Sequence, residues 1–184
     1  MGKLYDQITP TLADWLGQQR IFFVATAPLS MSGLLNCSPK GMDTFRILDP
    51  QTVAYLDLTG SGIETIAHLR ENGRIVFMFC SFDGSPKILR LYGTGEVITG
   101  DLPDFESLRA LFPDYPGARS VIRARLTRIA DSCGYAVPRY DYAGDRDGLI
   151  RWAESKGSDG VTQYRREKNV HSLDGLLGLS PGES

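Results

Sequence analysis

The most apolar stretch of the chain, Ile75-Val76-Phe77-Met78-Phe79-Cys80, reads as a central strand. Ile21-Phe22-Phe23-Val24-Ala25-Thr26 is equally β-branched and aromatic and stops short of Pro28, as a buried strand does. Residues 34–38, 44–48 and 53–58 are further strands, separated by Ser38-Pro39-Lys40-Gly41 and Asp49-Pro50-Gln51. In such turns Pro presets φ, Gly admits positive φ and Asp caps locally. Asp83-Gly84 turns the central strand back into residues 87–98, where Ile88, Arg90 and Tyr92 share one face and Leu89 and Leu91 the other. Period-two alternation over 119–130 predicts one more strand.

Helical spacing is confined to fewer places. Thr9 caps and Pro10 opens a helix carrying Leu12, Ala13, Trp15 and Leu16, which ends near Gly17. Thr59-Gly60-Ser61-Gly62 opens another, with Ile63, Ile66, Ala67 and Leu69 or Arg70 inside and Asn72-Gly73 as its exit. Residues 103–111 are helical. After Pro138 come short, charged, amphipathic helices, one with Leu149, Trp152 and Ala153, another with Val161, Tyr164 and Arg165. Residues 173–184 are Gly-rich with little to bury. Strands first and helices later predict an α+β fold, an antiparallel barrel with helices packed outside. At 184 residues the chain is one domain, 1–184, in which 139–184 form a C-terminal helical extension.

A net charge of -2 lacks the excess of Lys and Arg that a phosphate backbone requires, so no nucleic acid is expected as partner. No apolar run is long enough for a membrane span or signal peptide, and no membrane role is expected. Cys37, Cys80 and Cys133 are odd in number and far apart, which excludes a disulfide framework or zinc ribbon and suits the cytoplasm. Cys37 and Cys80 are expected to pack as small hydrophobes. His68 and His171, without Cys, His or carboxylates at ligand spacing, are expected at the surface. No G-x-S-x-G or G-x-x-x-x-G-K-[ST] motif occurs, and the third glycine of a dinucleotide fingerprint would fall at Thr65.

Three places could still carry chemistry. The 59–62 turn precedes a helix, where free N–H groups favour an anion such as a phosphate monoester; an ordinary strand-to-helix turn reads the same way. Asn36-Cys37-Ser38-Pro39-Lys40-Gly41 could present amides and an ammonium to a ligand, or be an edge-strand turn with a solvated Lys40. Arg90 interrupts an apolar strand, so it either needs a carboxylate or phosphate partner or sits at a rim. Arg119, Arg123, Arg125 and Arg128 are read as a solvated strand face.

Taken as a set, the N-x-S-P-K-G turn at 36–41, Val53-Ala54-Tyr55-Leu56-Asp57-Leu58-Thr59-Gly60-Ser61-Gly62, and the helix ending Arg70-Glu71-Asn72-Gly73-Arg74 before an apolar strand and hairpin resemble the FMN-binding split-barrel family related to pyridoxamine 5'-phosphate oxidase. The resemblance covers roughly residues 8–135. It implies a six-stranded antiparallel split barrel, a homodimer, and flavin mononucleotide (FMN) in a groove at the dimer interface. It implies that Asn36, Ser38 and Lys40 lie along the flavin and ribityl chain, that Thr59, Ser61, Gly62 and Thr65 lie near the phosphate, and that Arg90 projects toward the same groove. Where the oxidase starts its phosphate-side helix with a basic Arg-Lys pair, this chain reads Ile63-Glu64-Thr65, which leaves Lys40 and Arg90 as the basic residues of the set. The implied activity is that of an oxidoreductase on a small molecule other than pyridoxamine phosphate. A non-catalytic module for flavin, haem or another flat ligand stays open beside it.

Overall fold

In the computed structural model, which describes residues 2–183, one antiparallel sheet contains β1 (Leu4–Tyr5), β2 (Ile21–Thr26), β3 (Asn36–Gly41), β4 (Phe45–Asp49), β5 (Thr52–Leu58), β6 (Arg74–Cys80), β7 (Ile88–Ile98) and β8 (Ala118–Ser132). The strand order is β3-β2-β6-β7-β8-β5-β4, with β1 added beside β8. Both ends of this path are consecutive in sequence, and Phe22 of β2 meets Phe45 of β4 at 5.3 Å between ring centroids, so the sheet curls until its edges nearly close. This is the expected split barrel, with seven strands along its path and the two-residue β1 as an eighth.

Period-two alternation explains the interior. Phe22, Val24 and Thr26 are buried while Ile21, Phe23 and Ala25 are half-buried on the outer face. Phe22, Phe45, Tyr55, Phe77 and Phe79 form a continuous aromatic cluster, with centroids 5.0–6.4 Å apart in stacked and tilted or edge contacts. Leu89, Leu91, Ile122 and Ala124 complete that side of the core.

Four helices flank the sheet: α1 (Pro10–Gly17), α2 (Glu64–Asn72), α3 (Phe105–Arg109) and α4 (Gly148–Lys168). Thr9 caps α1, its hydroxyl accepting from Leu12 N at 3.3 Å. Gly73, at φ +70°, closes α2 through its N–H to Leu69 O. Gly157, at φ +65° and ψ 173°, breaks α4 into the two short helices that the sequence pattern predicts.

Several expectations need correction. Residues 38–41 are not a turn: β3 runs through Pro39 to Gly41, which an edge strand tolerates because the missing N–H faces no neighbour. Helix α3 is shorter than 103–111. The tail beyond 169 does bury part of itself, although Leu173 and Leu177 stay exposed. Leu179 is fully buried, Gly178 packs against Ile63, and Arg70 holds the tail by donating to Gly178 O and pairing with Glu183. This second cover explains why five consecutive residues of α2, Thr65 to Leu69, are buried although only one face of the helix meets the sheet. Trp152 and Tyr164 pack edge to face at 4.9 Å and are half-buried, so they are not spare apolar surface for a partner. Cys80 is buried as expected, whereas Cys37, on the outer side of edge strand β3, is exposed.

Candidate functional site

Register brings the two candidate motifs together. Asn36, Ser38 and Lys40 pair with Thr26, Val24 and Phe22, so all three belong to the barrel's inner face. From there Asn36 donates to Thr26 Oγ1 at 3.2 Å and to Thr65 Oγ1 at 3.0 Å, joining β3 to the first turn of α2. Ser38 donates to Asn36 Oδ1 at 3.0 Å. With both amide hydrogens and the carbonyl oxygen engaged, the Asn36 side chain has one orientation and fixes that of Ser38.

Lys40 reaches across the split. Its Nζ lies 3.5 Å from Asp57 Oδ1 on β5 and 5.7 Å from the centroid of the Tyr55 ring, and about a quarter of its side chain stays exposed. Asp57 is buried, and its principal partner is Arg119, whose Nε and Nη2 approach Oδ2 at 2.8 and 2.7 Å. Burial pushes the Asp57 carboxyl up, but Arg119 and Lys40 outweigh it and hold the group below the usual carboxylate range. Arg119 also donates to Gly62 O at 3.1 Å and to Asn169 Oδ1 at 2.9 Å. The Asn169 amide donates to Gly60 O at 2.9 Å, and Arg165 donates to Thr59 Oγ1 at 2.8 Å.

Arg119 is therefore no member of a solvated strand face. The pairing of β5 with β8 shifts where Asp57 faces Ser120 and Leu58 faces Ala118, leaving Arg119 as the extra residue of a bulge that turns it toward Asp57. Arg123 does lie at the surface, paired with Glu96 and Asp104. Thr59 is buried and spoken for: its hydroxyl donates to Gly117 O and accepts from Arg165. Ser61 and Gly62 are exposed, Thr65 is buried under them, and α2 has no side-chain cap. Arg90 does not join this set within one chain. It pairs with Met78 and Ala130 on the outer face, where it donates to Ser132 Oγ at 3.0 Å.

Among the described residues two buried polar atoms lack a partner, Tyr55 Oη and His68 Nε2. Burial pushes the Tyr55 phenol well above its usual pKa; Thr65 is near enough to act against that without completing a well-formed hydrogen bond. His68, expected at the surface, is fully buried, with Nδ1 2.9 Å from Thr26 Oγ1. Desolvation lowers its pKa from 6.5, against the opposing charges of Asp174, Glu64 and Glu71. The native state thus resists a proton that the unfolded chain accepts, so stability is full above pH 6.5 and falls as pH drops below it. The urea midpoint should decline between pH 7 and 5 in the wild type and lose that slope in His68→Gln; equal slopes would exclude His68 as the responsible group.

Among the described residues no group of His, Cys, Asp and Glu could hold a metal ion, and no helix is long and apolar enough to cross a membrane. Beside Lys40 opens a cleft of about 660 Å³, bounded by Ile21, the end of β3 and the segment 140–146, with Phe82, Tyr140 and Tyr142 as its aromatic walls. Met42 on its rim holds a left-handed φ of +61°, the one non-glycine residue to do so among those described.

Fold and cluster together define a split-barrel protein with a basic polar seam between barrel and helix. The chain belongs to the pyridoxamine 5'-phosphate oxidase family, whose model matches residues 8–133. It is 41% identical over 196 residues to the pyridoxamine 5'-phosphate oxidase family protein ustO of Aspergillus flavus, a match that covers 97% of this chain and 78% of the relative. In fold it is similar to HupZ of Group A Streptococcus, at a TM-score of 0.52 and 23% identity over 66% of this chain and 91% of that one. A Lactobacillus delbrueckii protein assigned to pyridoxamine 5'-phosphate oxidase gives a TM-score of 0.53 and 17% identity, over 69% of this chain and 98% of that one.

Proposed function

We propose that this protein binds FMN and acts as an oxidoreductase on a small molecule. The observation that carries the reading is the link between the two motifs: Asn36 bonds directly to Thr65, so the β3 residues and the start of α2 form one continuous polar surface. The residues present fit a flat ligand that ends in a phosphate. Lys40 is mostly buried yet only 3.5 Å from its one carboxylate, Tyr55 Oη is unpartnered beneath Thr65, and the turn at 61–65 has no side-chain cap.

In this reading Asn36, Ser38 and Lys40 orient the flavin and ribityl chain, and Thr59, Ser61, Gly62 and Thr65 form the phosphate end. Thr59 acts by fixing the turn, since its own hydroxyl is occupied. The bound flavin would supply the hydride and electron chemistry. Lys40 places a positive charge beside it, Ser38 is held in one orientation, and the neighbouring cleft gives a small substrate an aromatic-walled place.

A homodimer accompanies this reading. Phe23, Ala25, Val76 and Met78 are half-buried neighbours on the outer face of β2 and β6, an apolar patch suited to a second copy. Arg90 lies beside Met78 on that face and enters the site only across such an interface.

The test is an absorbance spectrum of the protein after FMN is added and free dye removed, with mass measured by light scattering on the same fraction. A retained flavin spectrum on a dimer is expected. A colourless protein would overturn the cofactor, a monomer the interface site. Bound flavin that neither nicotinamide nor deazaflavin donors reduce would overturn the enzyme and leave a binding module.

A further inference from the structure

Three oxygens of the 59–62 turn are claimed by protein donors, and two of the three claims involve residues beyond the family-matched segment 8–133. Arg165 takes Thr59 Oγ1, the Asn169 amide takes Gly60 O, and Arg119, itself held by Asn169 Oδ1, takes Gly62 O. The backbone N–H groups from Ser61 to Thr65 have no acceptor among the described residues, because the first helical bond of α2 runs from Ala67 to Ile63. The turn thus presents a row of backbone N–H groups without acceptors among the described residues, the polarity that receives an anion.

Cations outnumber carboxylates around it. Lys40 and Arg119 pair with the buried carboxylate of Asp57, and Arg165 feels its charge without reaching it. Glu64 also sits at the turn, its Oε2 against Gly62 and its Oε1 accepting from Leu173 N at 3.3 Å. Arg165 has no carboxylate within ion-pairing distance among the described residues; its acceptors are neutral, Thr59 Oγ1 and Ala118 O at 2.8 Å each, and its Nη1 has no protein partner. Desolvation and the charge of Arg119 both act to lower its pKa, the mark of a half-buried cation short of anions. Tyr55 Oη, fully buried and unpartnered, lies beneath Thr65 on the inner side of the same turn.

We propose that the C-terminal extension completes a phosphate-monoester site, with Arg165 supplying charge to the phosphate and Asn169 as the positioning residue that holds the 60–62 turn open to it. The cations that the sequence lacks at 63–65 thus arrive from a β-bulge and from a helix more than a hundred residues away. This inference rests on the flavin reading for its ligand.

FMN and riboflavin differ only in the phosphate, so their titration against the wild type and variants separates this role from general stability. Wild type should bind FMN at least about tenfold more tightly than riboflavin. Arg165→Gln should weaken FMN about 10- to 100-fold, as expected for a lost charge-assisted hydrogen bond, while riboflavin affinity stays unchanged; Arg165→Lys should recover part of the loss. Equal losses for both ligands, an unaffected FMN affinity in Arg165→Gln, or a wild type indifferent to the phosphate would each overturn the site. If the wild type binds neither flavin, the flavin reading fails, and inorganic phosphate decides this one. Thermal stabilisation by phosphate over chloride at matched ionic strength, absent in Arg165→Gln, would sustain the anion site alone, and no difference would end it.

Discussion

Replacing Arg119 by methionine destabilises the protein by about 3–5 kcal/mol, the range for a buried ion pair that loses one partner. Asp57 would then sit in the core with Lys40, 3.5 Å away and partly exposed, as its one ion-pair partner among the described residues. Gly62 O and Asn169 Oδ1 would lose their donor as well. Urea unfolding of Arg119→Met against wild type measures the loss as a lower midpoint at unchanged slope. The double variant Asp57→Asn/Arg119→Met should be less destabilised than the single one, because it no longer buries an uncompensated charge. Wild-type stability in Arg119→Met would mean that Lys40 alone suffices for Asp57.

Phe77→Ala is the other large effect, about 3–5 kcal/mol, from lost transfer energy and the cavity left behind. Phe77 is fully buried on β6 and touches Phe22, Phe45 and Tyr55, which come from three other strands. Its ring therefore ties together both edges of the split barrel. Thermal unfolding should show the drop, and Met78→Ala, one residue along but on the outer face, should show much less in the monomer. Similar losses at both positions would mean that the interior is not the main source of cohesion.

The strands are legible in the sequence wherever a single face is buried, because alternation then maps directly onto the pleat. The run from Ile75 to Cys80, the Asn72-Gly73 exit of α2 and the break between the two C-terminal helices all follow from local chemistry. Arg119 is not legible, since a bulge shifts parity by one residue and no local signal marks it. His68 escapes for a different reason: its ring bonds to Thr26 on β2, a long-range contact that no local signal marks. Asn36, Ser38, Lys40 and Thr65 stand out as a set through family resemblance, and register then explains the set, because the same pleat that buries Phe22 and Val24 points Lys40 and Ser38 inward. The family resemblance points to Lys40 and Arg90 as the basic partners of the helix start; the turn's other cations come from strand β8 and the C-terminal extension.

The hold of the tail on α2 also ties the 59–62 turn to the last part of the chain to be synthesised. Residues 2–133 contain every strand and the aromatic core, so a nascent chain can close its barrel while the extension is still inside the ribosome. Arg165, Asn169, Leu179 and Glu183 reach the 59–62 turn and Arg70 only after synthesis has passed them. A chain ending before residue 165 would keep every named strand but lose the hold of Arg165 and Asn169 on the 59–62 turn and the burial of Leu179.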